Sequence, residues 1–195
     1  MKSLLSQNTL IVDQKFTVLN NQYQIFDTEN NKIGFIKEKS SFLRNILMFF
    51  IPKNLLPLEL QIFDENENLM ATINKGYTFY MAKFSIKNSR DEEIATISQK
   101  FSFLTPSFII SDVDNHQIAT IQGNLIARDF HIIDSASGEE IGTVLKKWGG
   151  LVKEMFTNTD KYAINISESL SNKSYRVALI ASVIAIDMIF REGRK

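Results

Sequence analysis

Hydrophobic and polar positions follow two rhythms along this chain. As far as residue 145, short runs alternate apolar and polar residues between turn-forming segments. Near the C-terminus the alternation stops at Tyr175–Phe190, YRVALIASVIAIDMIF, where only Ser182 and Asp187 interrupt the apolar residues after Val177. A helix that is apolar all round is either enclosed by protein or spans a bilayer. A span needs about 20 such residues, and this run is shorter. The pattern therefore predicts an enclosed helix over 174–190, with Val177, Leu179, Ile180, Val183, Ile184, Ile186 and Asp187 in the core.

The alternating part is a repeat. Tyr23-x-Ile25-x-Asp27 precedes Ile33-Gly34-x-Ile36, and Leu60-x-Ile62-x-Asp64 precedes Met70-Ala71-x-Ile73. Phe84-x-Ile86-x-Asn88 precedes Ile94-Ala95-x-Ile97, and Phe108-x-Ile110-x-Asp112 precedes Ile118-Ala119-x-Ile121. Phe130-x-Ile132-x-Asp134 precedes Ile141-Gly142-x-Val144. Residues two apart share one face of a strand, and Asp or Asn begins a turn by bonding its own backbone. Each unit thus predicts a β-hairpin. Two short strand candidates, Thr9–Val12 and Phe16–Leu19, come earlier, and Tyr162–Ile166 comes later.

About a dozen strands in one sheet would curl or close, and a barrel that encloses a helix must be wider than an eight-stranded one. The expected fold is mainly β: a closed antiparallel barrel of about 12 strands, built from repeated hairpins around a central buried C-terminal helix. The small residues Gly34, Ala71, Ala95, Ala119 and Gly142 either face inward, making room for the helix, or mark bulges. One domain over 1–195 is expected, with an apolar insertion at 38–59 between the first two repeats.

Composition removes several functions. Lysine and arginine number 22, matching 22 acidic residues, which argues against a general nucleic-acid binder. There is no cysteine, hence no disulfide framework, thiolate zinc site or thiol nucleophile. The N-terminus lacks the continuous apolar core of a signal peptide, so the expected location is cytoplasmic, either soluble or peripheral at a membrane. No phosphate loop, nucleophile elbow or zincin motif occurs, and no enzyme activity is expected. His116 and His131 read as surface residues. Asp187 needs a partner or access to water; a structural role near the helix end, bonded to barrel backbone or to Arg191, is preferred over a proton- or headgroup-linked one.

The segment Lys147–Ile164, KWGGLVKEMFTNTDKYAI, joins a Trp, small residues, an apolar pair, a basic-acidic pair and an aspartate-containing stretch ending in an aromatic. It resembles the signature segment of phospholipid scramblases, and Ala185–Glu192, AIDMIFRE, resembles the close of that family. The resemblance covers most of residues 20–192. It implies the tubby C-terminal-like barrel, which LURP-one-related proteins share, and a phospholipid or membrane-surface partner. It also implies a calcium loop, onto which Asn158, Asp160, Asn165 and Glu168 map as oxygen donors. This chain places Lys161 among them and lacks the family's turn glycine. Calcium sites want several carboxylates, so neither calcium nor any other cofactor is expected.

The insertion holds Phe42, Arg44, Phe49, Phe50, Ile51 and Lys53 among other apolar residues, with two prolines. It is too short and too interrupted to span a bilayer as a helix. A plug over one barrel end is the preferred reading. Contact with an anionic interface, apolar groups inserting beside Lys and Arg, is the other. Two functions stand: a non-enzymatic phospholipid-binding protein that moves lipid between leaflets or only binds it, and a soluble interaction module using barrel loops for protein partners.

Overall fold

The computed structural model describes residues 4–16, 21–39, 47, 49–51, 55–77, 81–100, 107–124, 129–145 and 161–192. After a 3-10 turn at Leu4–Ser6 come β1 (Thr9–Phe16), β2 (Asn21–Phe26), β3 (Lys32–Glu38), β4 (Leu58–Asp64), β5 (Leu69–Lys75) and β6 (Lys83–Asn88). Then follow β7 (Glu93–Lys100), β8 (Ser107–Ser111), β9 (Gln117–Asn124), β10 (Asp129–Asp134), β11 (Glu140–Leu145) and β12 (Lys161–Ile166). Helix α1 (Lys173–Glu192) ends the described chain. Each strand pairs antiparallel with its sequence neighbour, and β1 pairs with β12 from Thr9↔Asn165 to Asp13↔Lys161, which closes the barrel. The two early strand candidates are corrected: Thr9–Phe16 is one strand, continuous across the polar pair Asp13-Gln14, and residues 17–20 lie outside the described set.

Four of the five hairpins use one turn. In the first four, the Asp or Asn oxygen accepts the amides two and four residues on, as at Asp64 from Asn66 and Asn68, both at 2.9 Å. The residue three places on takes a left-handed conformation: Asn30, Glu67, Asp91 and Asn115 have φ between 63° and 67°. This is a turn closed by a bulge, a common hairpin geometry. The fifth turn is one residue longer and puts Gly138 in the left-handed position, φ 72°.

A register shift follows in every unit. Ile62 pairs with Ala71 but Phe63 with Leu69, which leaves Met70 as the extra residue; Ile33, Ile94, Ile118 and Ile141 occupy the same place in the other units. The small residues therefore follow bulges but do not only mark them. Ala71, Ala95 and Ala119 are fully buried in the core with the helix, and a bulge residue precedes each one. A Cβ on Gly34 would stand 2.6 Å from the Phe63 carbonyl oxygen and one on Gly142 2.7 Å from that of Asn165, so no side chain fits at either position. The bulge turns a second consecutive side chain toward the interior. Ile33 and Ile141 are buried, while Met70, Ile94 and Ile118 pack onto the core edge beside Leu5, Leu170 and Tyr175.

Inside lies α1. Leu179, Ile180, Ala181, Ile184, Ala185 and Ile186 are buried, as are Val177 and Val183. Ser182 fits the apolar surroundings because its hydroxyl donates to the Ala178 carbonyl at 2.6 Å, the back-bond open to a helical serine. Asn172 caps the start, its side-chain oxygen accepting the Tyr175 amide at 3.1 Å. No helix among the described residues is long and apolar enough to cross a membrane.

Candidate functional site

Antiparallel pairing sends alternate connections to opposite ends of the barrel. One end carries the five tight turns and receives the N-terminus of α1. The other carries the remaining connections, including β3–β4 and β5–β6; these two flank the β4–β5 hairpin and are neighbours.

The turn end is held by polar anchors. The Tyr175 hydroxyl donates to the Ile118 carbonyl at 2.7 Å and to Asp134 at 3.2 Å. Burial, then the Asp134 carboxylate, pushes its pKa above the ordinary tyrosine range. The Asp134 carboxyl is held below the usual range, first by the Ser137 amide, against a burial penalty, and then by the Ser137 and Tyr175 hydroxyls. Arg176 is buried, and no carboxylate pairs with it among the described residues. Its guanidinium donates to the carbonyls of Ser167 (3.4 Å), Leu170 (3.2 Å) and Gln7, and to the Asn8 side chain (3.3 Å). Burial alone pulls its pKa down. It ties the segment before β1 to the segment after β12, beside an open groove of about 580 Å³ lined by Asn8, Glu168, Lys173 and Arg176.

Two of the four family calcium-loop positions, Asn158 and Asp160, lie outside the described residues. The other two already hold hydrogen bonds: Asn165 accepts from Thr9 at 3.0 Å and donates to Thr143 at 3.2 Å, and Glu168 accepts from Asn8 at 3.0 Å. Elsewhere Asp112, Asp114 and His116 bring ligand-type atoms within 4.8 Å of one another. The Asx turn, in which Asp112 accepts the amides of Asp114 and His116, accounts for that grouping. Asp187 lines a water-sized void of about 10 Å³ with Tyr162, Phe130 and Val183; the Arg191 side chain lies outside the described residues.

The loop end differs. Within the insertion, the amides of Phe50 and Ile51 donate to the Leu47 carbonyl at 3.0 and 2.8 Å, forming a turn that presents Phe49 and Phe50 at 86% and 81% exposure. Leu56 and Leu58, at its far end, are buried. The described part of the insertion thus has an apolar tip in water and an apolar root in the core. Phe42, Arg44 and Lys53 lie outside the described residues. The sequence reading missed a second pair on the neighbouring β5–β6 connection, Tyr77 and Met81, exposed by 60% and 53%. Lys75-Gly76-Tyr77 could have flagged it, as an aromatic after a glycine that ends a strand. Exposed Lys37, Lys39, Lys83 and Lys100 stand at the same end. Of these, Lys39 pairs with Glu59 at 3.0 Å, and Lys37 lies 4.7 Å from the centre of the Phe35 ring, which stacks on Phe63.

Comparison with known proteins agrees with this architecture. An X-ray structure of a protein from Arabidopsis thaliana matches with a TM-score of 0.56 over 92% of this chain and 90% of that one. At 12% identity the likeness is one of fold, the same helix-filled barrel. No curated protein sequence matches. The scramblase family matches residues 1–193, nearly the whole length, and it is to the scramblase family that this chain belongs.

Proposed function

We propose that this protein is a non-enzymatic phospholipid-binding protein that attaches reversibly to membrane surfaces through its loop end. Family membership supports a lipid-related role. The observation that carries the reading is the exposure of Phe49 and Phe50, two adjacent aromatics held by a turn with their side chains in water. A plug over the barrel mouth would bury them. Apolar groups of this kind insert at the headgroup boundary, and nearby cations add attraction to anionic lipid. Flotation with anionic vesicles tests it: Phe49→Ser, Phe50→Ser and Ile51→Ser together should sharply reduce recovery with vesicles and leave the circular dichroism spectrum unchanged. Loss of the fold instead would make the tip structural.

Attachment is independent of calcium in this proposal. Asn165 and Glu168 accept hydrogen bonds from Thr9 and Asn8, and Lys161 adds a like charge to any cation at the family loop position. Calorimetric titration with micromolar calcium should be flat, and vesicles carrying the protein should show no calcium-dependent lipid flip. The soluble-module alternative predicts no flotation at all.

A further inference from the structure

We infer that the barrel is electrically polarised along its axis and docks end-on upon anionic bilayers, with Tyr77 and Met81 as a second apolar anchor beside Phe49 and Phe50. This rests on the membrane-binding reading and adds to it the orientation and the second anchor.

The chain has no net charge, but its charges are sorted by end. The five tight turns hold eleven Asp and Glu against one Arg, with Lys32, Lys87 and Lys173 on the adjoining strand and helix ends. At the opposite end, exposed Lys39, Lys83 and Lys100 stand against one exposed carboxylate among the described residues, Asp129, and Lys39 is paired with the part-buried Glu59; the Lys37 ammonium reaches back over the Phe35 and Phe63 rings toward the turns. The sorting is made by topology. Turn chemistry favours Asp and Asn at every second connection, Glu stands beside them, and every second connection lies at the same end. Large apolar groups follow the same division: Phe49, Phe50, Tyr77 and Met81 are exposed at the lysine end, and only Val113 at the acidic end among the described residues.

Distance decides the orientation. The strands that join the two ends have five to eight residues, so the ends lie about 15–25 Å apart. That is about two Debye lengths at ~0.1 M salt. Standing upright on its lysine end, the barrel keeps its acidic turns outside the reach of the surface potential. Lying on its side, it would bring both signs to the membrane and cancel the attraction. Phe49–Phe50 and Tyr77–Met81 sit on neighbouring connections, so one upright pose inserts both pairs.

The absence of cysteine permits a direct test in the full chain. Met81→Cys and Val113→Cys each accept one nitroxide label. On phosphatidylserine–phosphatidylcholine vesicles the label at position 81 should become shielded from an aqueous relaxing agent, and the label at 113 should remain accessible. Flotation without shielding at 81, or with shielding at 113, overturns the end-on pose and leaves the membrane-binding reading standing. No flotation overturns both and points to a protein partner for this face. A third arm reads charge. Lys83→Gln with Lys100→Gln should weaken binding about twenty-five-fold, since each cation near such a surface contributes roughly five-fold. Unchanged binding, or equal binding to phosphatidylcholine alone, overturns the requirement for anionic lipid.

Discussion

Arg176→Met removes a cation that holds two chain segments at once. The guanidinium donates to Ser167 and Leu170 on one side and to Gln7 and Asn8 on the other. A hydrogen bond from a charged donor contributes about 1.5–3 kcal/mol net. The contacts to Ser167 and Asn8 are long, so about two full bonds are at stake, roughly 3–6 kcal/mol. Against this stands the desolvation of a buried charge, which the substitution relieves, and the adjoining groove through which water can reach the abandoned carbonyls. The expected loss is about 2–4 kcal/mol, a large part of the stability of a domain that has about 5–15 in all. Urea unfolding followed by far-ultraviolet circular dichroism measures it. Arg176→Lys keeps the charge but not the planar fork that reaches both segments, and should recover less than half of the loss. A loss below about 0.5 kcal/mol for the Met variant would refute the clasp. Full recovery by Lys would show that charge alone mattered.

Leu179→Asp should abolish folding, because Leu179 is fully buried and an unpaired buried charge costs several kcal/mol; a soluble, native-like variant would contradict the enclosed helix. Ala95→Leu, on the inner face against the helix, should lose about 1–3 kcal/mol by overpacking, read as a lower urea midpoint. The carboxyls of Asp64 and Asp134 have folded-state pKa values below the ordinary 3.8. Their contribution is thus present above about pH 4 and is lost as pH falls through the folded values. Acid titration by circular dichroism should show stability falling there, and Asp64→Asn should flatten the fall.

The barrel was legible because its signals repeat. One aspartate or asparagine that opens a turn is weak information, but five in the same place with a small residue at fixed distance leave few alternatives. The bulges were not legible as such. Ile94 and Ala95 are adjacent, and strict alternation assigns them to opposite faces; only the register shift shows that Ile94 packs onto the core edge too. Arg176 escaped notice because it precedes an apolar run and reads as a solvated helix start, whereas its partners come from residues 7–8 and 167–170, too far apart for local pattern to join. The insertion was recognised as unusual, but its division into an exposed tip and a buried root depends on where β4 begins. Tyr77 and Met81 acquire meaning only once the fold sets them beside Phe49 and Phe50.

Helix α1 also fixes an order of events during synthesis. Every strand leaves the ribosome before the helix that fills their interior. The seam between β1 and β12 joins Thr9 to Asn165, 156 residues apart in sequence, so it forms late as well, and pairings over such separations are slow. Through most of translation the chain is a curling sheet with a bare apolar concave face. Hairpin turns can set locally during that time, while the cooperative step waits for the last elements to emerge. A nascent chain stalled before residue 173 would therefore remain a chaperone client, however completely its hairpins had formed.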